Sequence, residues 1–487
     1  MNPADPENKS TRESPVFLCS ILLIVFGAVI RAVACTDQFW FDEIWSWAHA
    51  QDMQRAEDVV YRLRHDNNHF LNTWFIYFAG NDQHWSVYRI PALVAGIGTV
   101  WLAGIAARPY GRPHAVFAIV LTVFSFPMIQ YSSEARGYGL VMFFALGSFV
   151  MMQKALVRSS WWLELGFSLV AILGMLSHLT YGYCFLSLWL WSSLPRVGQS
   201  GRLILRRWAL SFLPATTFFA WLYWVNLQYA EIGGGDLGPL APAFLQALSL
   251  SVGGPVSGVM MPAMALGAAA LLGVAIWLGT RGKDWEWAFF LGVVVVLPVF
   301  TVVAMQPEFL YPRYFLVAIV FFQLLVAILL GDLFQRGQLA RRNGLILLLL
   351  LLVFNGIGTT RLLQRGRGEY REGVQFIYDQ TRSPQALIGT DQLLRNNLVF
   401  SYYQLWVEKR EAKQFAFCVA ESNDWPWPET GVVWWIVHNF DREFDPPKRR
   451  QDEFGHPYEL VRICRYGGLS GWNWAIYRRL GWRRPMP

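Results

Sequence analysis

Apolar residues in this chain gather into runs of about 15 to 20, the length at which a helix crosses the roughly 30 Å hydrocarbon layer of a bilayer. Eleven such windows predict membrane spans, at 16–34, 88–107, 114–130, 138–156, 161–177, 179–194, 208–226, 262–279, 286–305, 314–331 and 343–359. The first could instead be a signal peptide ending in Ala32-Val33-Ala34, but no basic region precedes it and Arg31 interrupts its end, which favours a span. Segment 241–258 is also apolar, yet Gly253, Gly254 and Pro255 break it, and it reads as an interfacial or re-entrant piece. Past residue 360 the pattern changes. Helix-like stretches at 370–380 and 391–406 alternate with short β-branched or aromatic runs at 386–389, 415–420, 431–438, 458–463 and 474–478, as in an α/β sandwich. The expected fold is a polytopic α-helical membrane protein of about 11 transmembrane helices, residues 1–360, with amphipathic helices in the first outer loop. A small C-terminal α/β domain, 361–487, follows.

Composition narrows the function classes. Of 487 residues, 54% are hydrophobic and 15% charged, against roughly 25% charged in a soluble globular chain, which excludes a soluble enzyme and a disordered chain. The net charge of +7 could suggest nucleic acid, but the basic residues fall in alternate short loops: Arg108 and Arg112; Lys154 and Arg158; Arg196, Arg202, Arg206 and Arg207; Arg281 and Lys283; Arg336, Arg341 and Arg342. By the positive-inside rule these loops are cytoplasmic. Counting 241–258 as a span would put the last two outside. The N-terminus is then cytoplasmic and the C-terminal domain extracytoplasmic, where a Cys418–Cys464 disulfide is permitted. No cysteine pair has the Cys-x-x-Cys spacing of a zinc or redox site.

Charge within the spans points away from ion-coupled transport, which usually needs mid-membrane acids or bases; windows 138–156, 286–305 and 314–331 have none. Polar groups cluster at the outer helix ends, as suits a substrate with a lipid tail and a polar head. In the first outer loop, Phe41, Ile44, Trp45 and Ala48 recur at helical spacing, predicting an amphipathic helix with Asp42 and Glu43 in its first turn. Adjacent helical side chains diverge by about 100°, so one acid would face a cleft and the other cap or pair; both could simply favour the helix dipole. The cluster His65-Asp66-Asn67-Asn68-His69 leads into a second amphipathic stretch. It lacks a His-Glu-x-x-His zinc pattern, and reads as hydrogen bonding to a sugar or as a solvated turn. Glu134, Arg136 and Tyr138 lie where one span ends and the next begins. An arginine beside a helix start can hold a phosphate, or pair with the nearby glutamate. His178, Tyr181, Tyr311 and Arg313 add polar groups at the same depth; Arg313 is a second phosphate candidate, or a side chain snorkelling to the interface.

At these residues the chain resembles the C-type fold, lipid-phosphate-sugar-dependent membrane glycosyltransferases, which include protein O-mannosyltransferases and the lipid A aminoarabinose transferase. The resemblance rests on Asp42-Glu43 after the first span, the His and Asn cluster at 65–69, Ser-x-Glu-Ala-Arg-x-Tyr at 132–138 and Tyr-Pro-Arg-Tyr at 311–314, and covers about the first 330 residues. Phe70-Leu71-Asn72 stands where many relatives have His-Pro-Pro, and the C-terminal domain matches no module of the family. The resemblance implies a donor sugar on polyprenyl or dolichyl phosphate, transferred with inversion to a hydroxyl or amine on the outer side of the inner membrane. Asp42 would be the base, with Glu43 orienting the loop or the acceptor. Arg136, Arg313, Tyr138 and Tyr311 would bind the donor phosphate, and His65, Asn68, His69, Glu134, His178 and Tyr181 the substrate. It admits a divalent metal without requiring one. The acceptor, whether glycan, lipid or protein, stays open. So do three other readings: a glycan ligase or phospho-group transferase, a lipid or anion transporter, and a non-catalytic scaffold.

Overall fold

The computed structural model describes residues 7–194, 200–231, 233, 240–281, 285–307, 309–408, 412–420, 424–441 and 443–481, with side chains from residue 17 onward. Arg196, Lys283 and Glu308 lie outside the described residues. Two compact units result: residues 1–35 with 49–359, and residues 36–48 with 360–487.

The first unit is helical. All eleven apolar windows fall mainly on helix, and among the described residues eight helical stretches are long and apolar enough to cross a bilayer, so the chain is an integral membrane protein. The other three windows hold shorter helices: Arg112–Phe124 and Tyr181–Ser193 have 13 residues each and Trp161–Ser177 has 17. Thirteen residues span only about 20 Å. Window 114–130 is short because it is two helices, interrupted at Ser125 and resumed as Phe126–Tyr131 with Pro127 in its first turn. Proline there removes a backbone donor. Asn355 Oδ1 accepts from the Phe126 N–H at 2.8 Å and Gln323 Nε2 donates to Ser125 Oγ at 2.9 Å, satisfying polar groups that the apolar surroundings cannot. At the centre runs Pro312–Gln335, 89% buried within its apolar window. Arg31, fully buried in the first helix, donates to the carbonyls of Gly27, Thr122 and Val123.

The segment read as re-entrant contains the helix Leu240–Ser251, at 12 residues too short to cross. Gly253 turns the chain behind it with φ +81°, and a Cβ there would come within 2.4 Å of Asn355 Nδ2. Both the conformation and the close approach require glycine.

In the second unit a six-stranded sheet has the order β2-β1-β3-β6-β5-β4, with β1 Gln385–Thr390, β2 Gln414–Val419, β3 Trp434–Asn439, β4 Arg449–Gln451, β5 Pro457–Cys464 and β6 Asn473–Arg479. β1 is parallel to both neighbours, and the rest of the sheet is antiparallel. Helices Tyr370–Gln380 and Leu393–Gln404 accompany it. Trp434 and Trp474 are fully buried, and Trp474 Nε1 donates to Asn396 Oδ1 at 2.7 Å. Cys418 and Cys464 are free and buried, not bridged. They lie on β2 and β5, four strand spacings apart in the sheet order, or about 19 Å, well beyond disulfide reach.

The early segment Thr36–Ala48 is built into this unit. Asp37 Oδ2 accepts from the Arg367 backbone at 2.8 Å and pairs with its buried guanidinium at 3.1 Å. Gln38 Oε1 accepts from Arg371 N–H, and Tyr403 Oη donates to the Phe39 carbonyl.

Candidate active site

Asp42 and Glu43 open the helix Phe41–Gln51, as the apolar spacing predicts. Glu43 is fully buried and its carboxylate reaches back to the Trp40 N–H at 3.4 Å, the reciprocal half of a capping box. Of the two acids, Glu43 takes the capping position. Asp42 is half-buried, and its backbone carbonyl accepts from Ser46 Oγ. The acids therefore divide as their angular separation requires.

In the first unit, four chain turns bring their polar residues together. Gly137 sits where they crowd: a Cβ on it would lie 1.8 Å from the Ser177 carbonyl oxygen and 3.2 Å from His69 Cβ. Asn72 Nδ2 donates to the Ala135 carbonyl at 2.6 Å and ties the 132–137 turn to the helix Phe70–Ala79. Around this junction the His69 and His178 rings stack at 5.1 Å, and Tyr138 lies 4.5 Å from His178 and 5.6 Å from His69. Arg136 is buried, donates to Asn67 Oδ1 at 2.8 Å and stands 4.9 Å over the Tyr138 ring. Arg313 lies 4.0 Å over the Tyr311 ring and 5.7 Å over Tyr314.

Electrostatics follow from that packing. Burial first, then the Arg136 and Arg313 charges, push the His178 ring down from 6.5 to about 3; the Asp66 carboxylate opposes this with less effect. Burial first, then the Arg136, His178 and Arg313 charges in that order, hold His69 well below its ordinary range, against a smaller opposing effect of its hydrogen bond to the Ser177 backbone. Both rings are neutral at pH 7, and their partners assign the protons. Thr180 N–H donates to His178 Nδ1 at 3.2 Å, so the His178 proton resides on Nε2. The His69 ring donates to the Ser177 backbone, while its buried Nε2 has no hydrogen-bond partner among the described residues and keeps a lone pair. The junction thus combines two guanidiniums, one imidazole donor and one imidazole acceptor. Such a set offers charge and hydrogen bonds suited to an anion beside a hydroxyl-rich group.

The other candidates are placed differently. Glu134 is fully buried and accepts from Gln130 Nε2 at 2.7 Å. Asn68 donates to the Val59 and Leu63 carbonyls, shaping its own loop. His65 lies 2.9 Å from Asp66 Oδ1 and stacks near His49. Tyr181 leaves the candidate set: its ring packs on Gly174 and its hydroxyl meets Ser148 Oγ at 2.6 Å inside the helix bundle. Asn67, Asp66 and Tyr314, which the sequence motifs include without a role of their own, also stand at the junction. Among the described residues no three His, Cys, Asp or Glu side chains form a metal-holding group.

No family model matches the sequence, and no curated protein matches it significantly. Among solved structures, ArnT from Cupriavidus metallidurans in the apo state matches with a TM-score of 0.54 at 13% identity, over 86% of this chain and 92% of that one. ArnT from the same organism bound to undecaprenyl phosphate gives a TM-score of 0.49 at 12% identity, over 95% and 98%. The apo likeness shows the architecture: this chain has the fold of ArnT, a lipid A aminoarabinose transferase of the C-type glycosyltransferase fold.

Proposed function

We propose that the protein is an inverting glycosyltransferase that moves a sugar from a polyprenyl phosphate donor to a hydroxyl or amine acceptor on the extracytoplasmic side of the inner membrane. The observation that carries this reading is the pair of arginines beside two histidines kept neutral. When a glycosyl phosphate breaks, the leaving lipid phosphate gains negative charge, and fixed cations in a poorly solvated site stabilise that charge. Arg136 and Arg313 supply the cations, the His178 Nε2–H and the Tyr138 hydroxyl supply donors, and Tyr311 steadies Arg313 through its ring face.

In the reaction the acceptor oxygen or nitrogen bonds to the anomeric carbon from the side opposite the phosphate, which inverts it. The carbon–oxygen bond to phosphate breaks with its electron pair left on the phosphate. The acceptor's proton goes to Asp42. Basic loops support the orientation, and the fold shared with ArnT supports the chemistry by analogy.

Purified protein given radiolabelled polyprenyl-phosphate sugars is expected to release or transfer label, and Asp42→Asn to slow this about 10²- to 10⁴-fold with lipid-phosphate binding retained. An unchanged rate in Asp42→Asn removes it as the base. Binding without turnover of any such donor in the unaltered protein turns the reading toward lipid transport. For orientation, alkaline phosphatase fused after residue 487 should be active; an inactive fusion would reverse the topology.

A further inference from the structure

The second unit carries a group of polar and aromatic side chains that the proposed reaction does not use. In its sheet, β1 connects to β2 on one side, and the chain then returns to lay β3 on the other side of β1. In open α/β sheets such a reversal leaves a crevice beyond the carboxyl ends of the parallel strands, where ligands bind. Asp391 immediately follows β1, and His438 is the penultimate residue of β3. Asp391 Oδ2 lies 2.9 Å from His438 Nδ1, and its carboxylate also accepts from the His438 backbone N–H. Arg395, from the helix that follows β1, places Nη1 3.4 Å from His438 Nε2 and its guanidinium 5.1 Å over the Phe440 ring. Phe440 is 43% exposed. Trp472 lies 5.8 Å from Phe440 and 6.1 Å from His438, and its buried indole N–H has no partner among the described residues. Phe41 packs on the same Trp472 at 5.7 Å, so the helix bearing Asp42 starts from this aromatic group.

We infer that this crevice at the β1/β3 switch point binds a pyranose sugar. An exposed aromatic ring offers a face to the C–H side of a pyranose. Asp391, whose side chain is 31% exposed, accepts from hydroxyls, and Arg395 donates to them. The alternation of acceptor and donor next to a ring matches vicinal hydroxyls, whereas a bare anion would meet the Asp391 charge. That the sugar belongs to the acceptor rests on the transferase reading above; the binding itself does not.

Saturation-transfer NMR on the full-length protein in detergent, with the methyl pyranosides of glucose, mannose, galactose and N-acetylglucosamine as probes, tests it. At least one is expected to bind, about tenfold more weakly in Phe440→Ala and in Arg395→Ala, the worth of one good contact, and unchanged in Asp42→Asn. Phe440→Ala should melt like the unaltered protein because its ring is exposed. No transfer to any pyranoside, undiminished transfer in both variants, or displacement by inorganic phosphate would each overturn the inference. Sugar binding with no donor turnover leaves this site standing and the transferase reading fallen; turnover without sugar binding does the reverse.

Discussion

Arginines of the second unit and those at the first unit's junction keep different company. In the second unit, Arg367 pairs with Asp37 and Arg478 with Glu459. At the first unit's junction, Arg136 donates to the Asn67 amide oxygen and stands over the Tyr138 ring, Arg313 lies over the Tyr311 ring, and their charges reach two imidazoles that burial has already made hard to protonate. An ion pair holds a structure together, and an arginine charge beside buried imidazoles holds them neutral.

The contrast can be broken most forcefully in the second unit. Asp37→Ala would leave the Arg367 guanidinium buried without its acid, and removing one partner of a buried pair costs about 3–5 kcal/mol. Denaturant unfolding should show it, together with faster proteolysis within Thr36–Ala48. At the junction, Arg136→Ala should weaken polyprenyl-phosphate binding by about 1.5–3 kcal/mol, the worth of a hydrogen bond to a charged group, beside a stability loss of about 1–3 kcal/mol from the lost Asn67 bond, with the fold retained. Direct binding measurements decide this; collapse of the fold instead would make Arg136 structural. Acid sharpens the difference more gently. His178 has its folded value lowered from 6.5 to about 3, so below about pH 6.5 the unfolded chain takes up a proton that the folded one refuses, and stability falls as pH drops through that window. Melting temperatures from pH 7 to pH 4 should show the decline, and His178→Gln should flatten part of it. Tyr181→Phe, the smallest change, should cost about 1 kcal/mol from the lost Ser148 bond and leave transfer unaltered.

Legibility followed the range of the forces involved. Spans announce themselves because burial in lipid demands long apolar runs. Even so, a hydropathy window cannot see that Ser125 and Pro127 split one of them, since Asn355 and Gln323 repair the break from helices far along the chain. Five strands of the second unit were readable from β-branched and aromatic runs. β4, Arg449–Gln451, was not, because a three-residue polar edge strand has no apolar signature. In the candidate site, residue types and their order pointed to Arg136, His69 and His178. Tyr181 misled because a tyrosine at a helix start looks the same whether its hydroxyl faces a ligand or Ser148. Which of two adjacent acids caps was settled by the local turn at Trp40.

The placement of Thr36–Ala48 in the second unit also sets a timetable. Asp37 and its partner Arg367 are 330 residues apart in sequence, and at about 5–20 residues per second synthesis takes roughly 15 to 65 s to pass from one to the other. Throughout that interval the helix that begins with Asp42 has no sheet to fold against, however completely the intervening helices have entered the bilayer. A ribosome that stops early therefore leaves Thr36–Ala48 without its sheet, and Asp42 gains its native surroundings only when the last strands are made.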